Sequence, residues 1–186
     1  VTTDAQLADR LPLARRELLG RAIGRSLVEV ERVTATPVEE FVQDGGAAPD
    51  YLAKLSGPTQ LTFSGGLVHS LAVWPSQLSL LVEDSPLPED PYSDRYRLSE
   101  LGAPSWLRAL VGLTVRDVRV HLYQDEVPSD EARQAAVSYV FDEGTELYYC
   151  VYLHGRMDGD ELLLPGEVVP EAVARSVSLS ASTNSP

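Results

Sequence analysis

Gln60-Leu61-Thr62-Phe63-Ser64-Gly65-Gly66 returns, 78 residues on, as Ser138-Tyr139-Val140-Phe141-Asp142-Glu143-Gly144. Both stretches carry apolar side chains at every second position, Leu61 and Phe63 or Tyr139 and Phe141, and then meet a glycine turn. Period-2 patterning closed by such a turn is a hairpin signal. The return strands agree as well: Leu71-Ala72-Val73-Trp74 matches Tyr149-Cys150-Val151-Tyr152. Leu61 and Phe63 are expected to share one sheet face with Leu71 and Val73, and Tyr139 and Phe141 with Leu147, Tyr149, Val151 and Leu153.

Working outward, a second block repeats. Leu18-Leu19-Gly20-Arg21-Ala22-Ile23, then Leu27-Val28-Glu29-Val30, resembles Leu110-Val111-Gly112-Leu113-Thr114-Val115, then Val118-Arg119-Val120-His121-Leu122. Aligning Gly20 with Gly112 gives an offset of 92. Offsets of 92 and 78 leave the linker in the first half, Pro37 to Gly57, 14 residues longer. Fixed-period self-similarity is the mark of an internal duplication. Each unit reads as a short helix (Leu11 to Leu19, and Ala103 to Leu110), a Val- and Leu-rich strand, a linker and a hairpin. Ser79 to Glu83 reads as a further strand.

The expected fold is a β-rich α+β domain over residues 1–175, made of two related helix-strand-hairpin units at about 11–83 and 103–165. Their hairpins are expected to join into one curved sheet or partly closed barrel, because closure protects strand edges. Residues 84–97, with Pro86, Pro88 and Pro91 among acids, read as the surface link between the units. The Ser-rich residues 176–186 read as a disordered tail.

The chain has 186 residues with 28 acidic and 15 basic ones, a formal net charge of -13. Residues 1–124 hold 16 acids against 12 bases, whereas residues 125–171 hold 12 acids against 2. The excess is therefore concentrated in the second unit. Phosphate backbones are gripped by clustered Lys and Arg, so no nucleic-acid partner is expected. No apolar run approaches the ~18 residues of a membrane helix, and the first residues do not form a secretory signal. A cytoplasmic location and no membrane partner are the expectation. A field of acids steers basic partners toward it.

Candidate chemistry is sparse. Cys150, the single cysteine, stands four residues from His154, ~13 Å away along a strand. It reads as a small buried hydrophobe. His69, His121 and His154 lack zinc-ligand spacing. Asp158-Gly159-Asp160-Glu161 fails the calcium-loop pattern, since Leu162 holds the fifth position. No dinucleotide, Walker or nucleophile-elbow motif is present. No catalytic residue, metal or cofactor is expected, and enzymatic activity is not favoured. The expected partner-binding residues are Asp142, Glu143, Glu146, Tyr148, Tyr152, Asp158, Asp160 and Glu161. Tyr148 and Tyr152 share a face with Cys150, and exposed Tyr beside acids suits a protein-binding surface. Burial, with the sheet packed on both faces, is the favoured reading of the two tyrosines, since aromatics mostly serve packing.

The paired LxGxxIxxV and LxFxxG patterns, carried by Leu18 to Val30, Leu61 to Gly66, Leu110 to Leu122 and Tyr139 to Gly144, resemble those of small acidic bacterial proteins of uncharacterised or immunity-protein type. The resemblance implies a binder without chemistry of its own, such as a neutraliser of a toxin domain. It carries over no site residue. The expected function is thus a protein-binding module whose acidic second half meets a basic partner. The alternative is an enzyme or small-ligand binder using a cleft between the two units.

Overall fold

A computed structural model describes residues 4–54, 56–74, 76–100, 103–123, 126–127, 129–153, 159–166 and 173–180. Two short helices, α1 (Asp4–Ala8) and α2 (Arg16–Gly20), precede strand β1 (Leu27–Thr34). Helices α3 (Val38–Gln43) and α4 (Tyr51–Lys54) fill the linker to β2 (Thr59–Phe63). Strands β3 (Leu67–Trp74), β4 (Ser79–Glu83) and β5 (Asp94–Arg97) complete the first half. Helix α5 (Ser105–Arg108) opens the second half, followed by β6 (Val115–Tyr123), β7 (Gln134–Phe141), β8 (Glu146–Leu153), β9 (Gly159–Pro165) and β10 (Val173–Ser178).

The strands form two antiparallel five-stranded sheets, ordered β4-β3-β2-β1-β5 and β9-β8-β7-β6-β10. Strand for strand, the second sheet repeats the connection order of the first. The expected single curved sheet or barrel is therefore replaced by two open sheets. Each hairpin already has strand neighbours on both sides, so neither needs the other hairpin to satisfy its edges. Between the sheets, the one strand-type pairing among the described residues is the bridge Ser26↔Thr114.

A bulge explains how charged strands serve a core. In β1 the pairing with β2 shifts between Leu27 and Glu29. Without the shift, strict alternation would send Glu29 inward after Leu27. With it, Val30 faces inward and is fully buried, as one extra residue reverses the alternation. Strand β6 has the same shift between Val115 and Asp117, which turns Val118, Val120 and Leu122 inward.

One cluster of buried side chains spans both sheets, including Leu27, Leu61, Phe63 and Leu71 from the first and Val118, Tyr139, Phe141 and Tyr149 from the second. Full burial of each such side chain stabilises the fold by ~1.5–3 kcal/mol. Leu19 of α2 and Leu107 of α5 enter the same cluster. Buried hydrogen bonds fix the packing: His69 Nδ1 and the Tyr139 hydroxyl are 2.9 Å apart, and the Leu13 N–H donates to Gln134 Oε1 at 2.8 Å.

Two further expectations change. Residues 84–97 are not all link, because β5 pairs with β1 through Glu31↔Arg97 to Thr34↔Asp94. The polar strand is stable there because the buried Glu31 carboxylate receives Arg95 and Arg97. Ser176 to Ser178 are not tail: they pair with β6, and Leu179 behind them is buried.

Candidate functional site

Each half turns its hairpin in three residues, Ser64–Gly66 and Asp142–Gly144. Gly65 has φ 75° and Glu143 has φ 68°, both left-handed. Glycine adopts that conformation freely, whereas a residue with a Cβ is strained in it. Glu143 thus holds an unfavourable backbone at the position glycine takes in the first half.

Beside this second turn lies a cleft of about 700 Å³. Trp106, Ala109, Leu110 and Leu113 supply its apolar wall, and Glu143 and Glu146 its acids. The side chain of Glu143 is exposed. The Glu146 carboxylate is held inward, accepting the Ser138 hydroxyl at 2.5 Å and lying 3.7 Å from Arg119. Asp142 is ion-paired with Arg116.

A polar row continues behind Glu146. Arg119 bonds Asp117 at 3.1 Å, and Asp117 also accepts the Ser178 hydroxyl and the Ser180 N–H. Burial alone would raise the Asp117 carboxyl, but these hydrogen bonds outweigh it and hold the group below the usual carboxylate range. His121 Nε2 lies 2.6 Å from Ser138 Oγ. Since Ser138 donates its proton to Glu146, His121 must donate through Nε2. The hydroxyl stands between imidazole and carboxylate, the reverse of a triad, where the imidazole stands in the middle. Ser138 is also fully buried. This trio braces the sheet.

The expected binding positions are spread along β8 rather than gathered at one end. Tyr148 is 4% exposed, packed against Ala136 and Cys150 with its ring 4.9 Å from His121. Burial, then the Glu146 charge, pushes its phenol up to about 12. Tyr148 is therefore withdrawn from the surface into a small second cluster on this face of the sheet, with Leu162 and Leu164 packed against it. Tyr152 pairs with Asp160, and Val151 with Glu161, at the opposite end of β8 from Glu146. Tyr152 stands six positions along the strand from Glu146, ~20 Å away. Only Asp142, Glu143 and Glu146 gather at the turn. Asp158 and His154 lie outside the described residues.

Cys150 is fully buried, and burial pushes its thiol up to about 12. His69 is buried too, with Nε2 donating to Leu18 O at 3.1 Å and Nδ1 accepting from Tyr139. Among the described residues no three His, Cys, Asp or Glu side chains converge as a metal site, and no helix is long and apolar enough to cross a membrane.

Sequence reasoning missed Trp106, whose place in a short apolar helix reads as core. The signal that finds it is the turn next to α5, where Glu143 replaces the expected glycine. Comparison with known proteins gives no match: no family model fits the chain, and neither a curated protein nor a solved structure is similar to it.

Proposed function

We infer that this chain is a non-catalytic binding module, built from two duplicated units, whose second unit receives a basic protein partner at the cleft beside Glu143. The observation that carries the reading is the cleft's make-up: an apolar wall around Trp106 under an exposed carboxylate on a strained turn. An apolar body with a charged rim is what a basic side chain with an aliphatic stem requires. The surplus of acids in residues 125–171 adds long-range attraction. The matching strand orders and mirrored bulges support the duplication. In its most specific form the module neutralises a toxin domain, inside a cytoplasm.

A pull-down with the chain as bait, washed at low and at high salt, tests the reading. A protein partner lost as salt rises supports it. Recovery of no partner, or of one held equally at both salt levels, counts against it.

A second reading has its own observation. A cleft of about 500 Å³ lies where the halves meet, lined by Val28, Glu29, Ser99, Arg108 and Val111. That size suits a small ligand. Thermal stabilisation by a small metabolite, abolished by Arg108→Ala, would favour it.

A further inference from the structure

We propose that the cleft beside Glu143 is a seat for an arginine side chain of the partner, and that Arg25 displays the bound geometry in the other half of the same molecule. The proposal rests on the binding-module reading and names the group that is bound.

The equivalence of the two places follows from backbone hydrogen bonds. Gly24 N–H donates to Val115 O and Gly112 N–H to Leu27 O, both at 2.8 Å. Leu27 N–H donates to Leu113 O at 3.1 Å and Val115 N–H to Arg25 O at 2.9 Å. Ser64 N–H donates to Ser26 O, and Asp142 N–H to Thr114 O. This exchange makes Leu113 the counterpart of Arg25 and Asp142 the counterpart of Ser64; counted along the chain, Ala109 then corresponds to Arg21 and Glu143 to Gly65.

In the first half, Arg25 spans the space between helix and turn. Its Nε donates to Arg21 O at 3.0 Å and its Nη1 to Ser64 O at 2.7 Å. The guanidinium lies so close to the turn that a Cβ on Gly65 would stand 2.5 Å from Nη1. In the second half Leu113 has neither the length nor the donors to do this, and the cleft remains. By the same equivalence the carbonyls of Ala109, which lines the cleft, and of Asp142, next to Glu143 at its edge, correspond to the two that Arg25 uses. Asp142 O has a long contact from the Thr145 hydroxyl at 3.3 Å.

Two differences adapt the second place to an incoming cation. Glu143 adds a carboxylate where the first half has only glycine, and Trp106 adds an indole where the first half has Leu18. A planar guanidinium can donate to two carbonyls and a carboxylate at once while resting on an aromatic ring. A lysine ammonium supplies charge without that fork.

The test titrates the whole chain with a capped Gly-Arg-Gly peptide and with its lysine and citrulline counterparts, following the Trp106 indole and Gly144 amide signals by NMR. The arginine peptide is expected to shift both signals and to bind roughly fivefold more tightly than the lysine peptide, the citrulline peptide more weakly still. Glu143→Gln is expected to weaken arginine binding roughly fivefold. Leu113→Arg should fill the cleft from within and abolish the shifts; Glu143→Gln serves as the test if that variant does not fold. Equal arginine and lysine binding, or shifts away from Trp106 and Gly144, would overturn the arginine seat and leave a general acidic binding face standing. No binding of any basic peptide, together with an empty pull-down, would overturn both.

Discussion

Ser26 and Thr114 face each other across the junction of the two sheets, their hydroxyl oxygens 3.4 Å apart, at the centre of a reciprocal exchange of backbone hydrogen bonds. The donors Gly24 and Gly112 flank this pair at matching positions, with φ of 83° and 89°. The left-handed turn is what aims each N–H at the opposite half.

Gly24→Ala and Gly112→Ala should therefore cost similar amounts. A Cβ at either position meets no atom within 4 Å, so the cost is backbone strain alone. That strain is about 1–2 kcal/mol. Urea unfolding of the two variants checks it; a clear inequality would mean that the two halves do not share the junction evenly.

Glu143→Gly should raise stability by about 1 kcal/mol, since it removes a left-handed non-glycine residue. The same change should weaken partner binding. Thermal melting and the pull-down, run on one preparation, read the two effects. A variant that gains no stability would show that the Glu143 side chain recovers its backbone cost locally.

The buried histidines set an acid limit. Burial lowers His69 from 6.5 to about 4, and burial followed by the nearby Arg119 charge does the same to His121. Between those values the unfolded chain binds protons that the folded chain refuses. Stability is thus complete above pH 6.5 and falls as pH drops toward 4, by at most about 3 kcal/mol for each histidine. Urea midpoints at pH 7 and pH 4.5 measure the loss. His69→Gln should reduce its size, and an unchanged slope would exclude His69 as a source.

Arg32 is 1% exposed and points inward from β1. Its guanidinium donates to Leu52 O, Ala53 O and Gly57 O at 3.1, 3.2 and 2.9 Å. Arg32→Met strands those carbonyls and should cost about 2–4 kcal/mol. Limited proteolysis should then cut within residues 35–58 before any other segment. Cleavage elsewhere first would show that this linker is held by other contacts.

The hairpins are legible because Leu61-Thr62-Phe63 alternates, Tyr139 and Phe141 repeat its two apolar positions, and both stretches end in a turn. The helix-to-strand equivalence differs from the sequence alignment by about one helical turn. Gly20 resembles Gly112 in local spelling, but Gly24 is its counterpart: Ser26 and Thr114 stand 88 residues apart, not 92. The φ values that decide this are set by the contact between the halves, which a linear repeat does not reveal. Strand β5 was missed because Asp94-Arg95-Tyr96-Arg97 has no apolar alternation; its stability comes from Glu31, more than sixty residues earlier. The acidity of the candidate site was visible in Asp142-Glu143. The role of Arg25 was not, because it depends on which turn its side chain reaches in space.

The reciprocal junction also governs when the protein can finish folding. Gly24 and Leu27 donate to carbonyls of Val115 and Leu113, which are made only after every strand of the first sheet. Until then the shared core that holds Leu19, Ala22 and Leu27 lacks its members from the second half. A nascent chain stalled before Gly112 would present that apolar surface to chaperones and proteases. Completion of the second half is therefore a checkpoint on the first, written into the backbone itself.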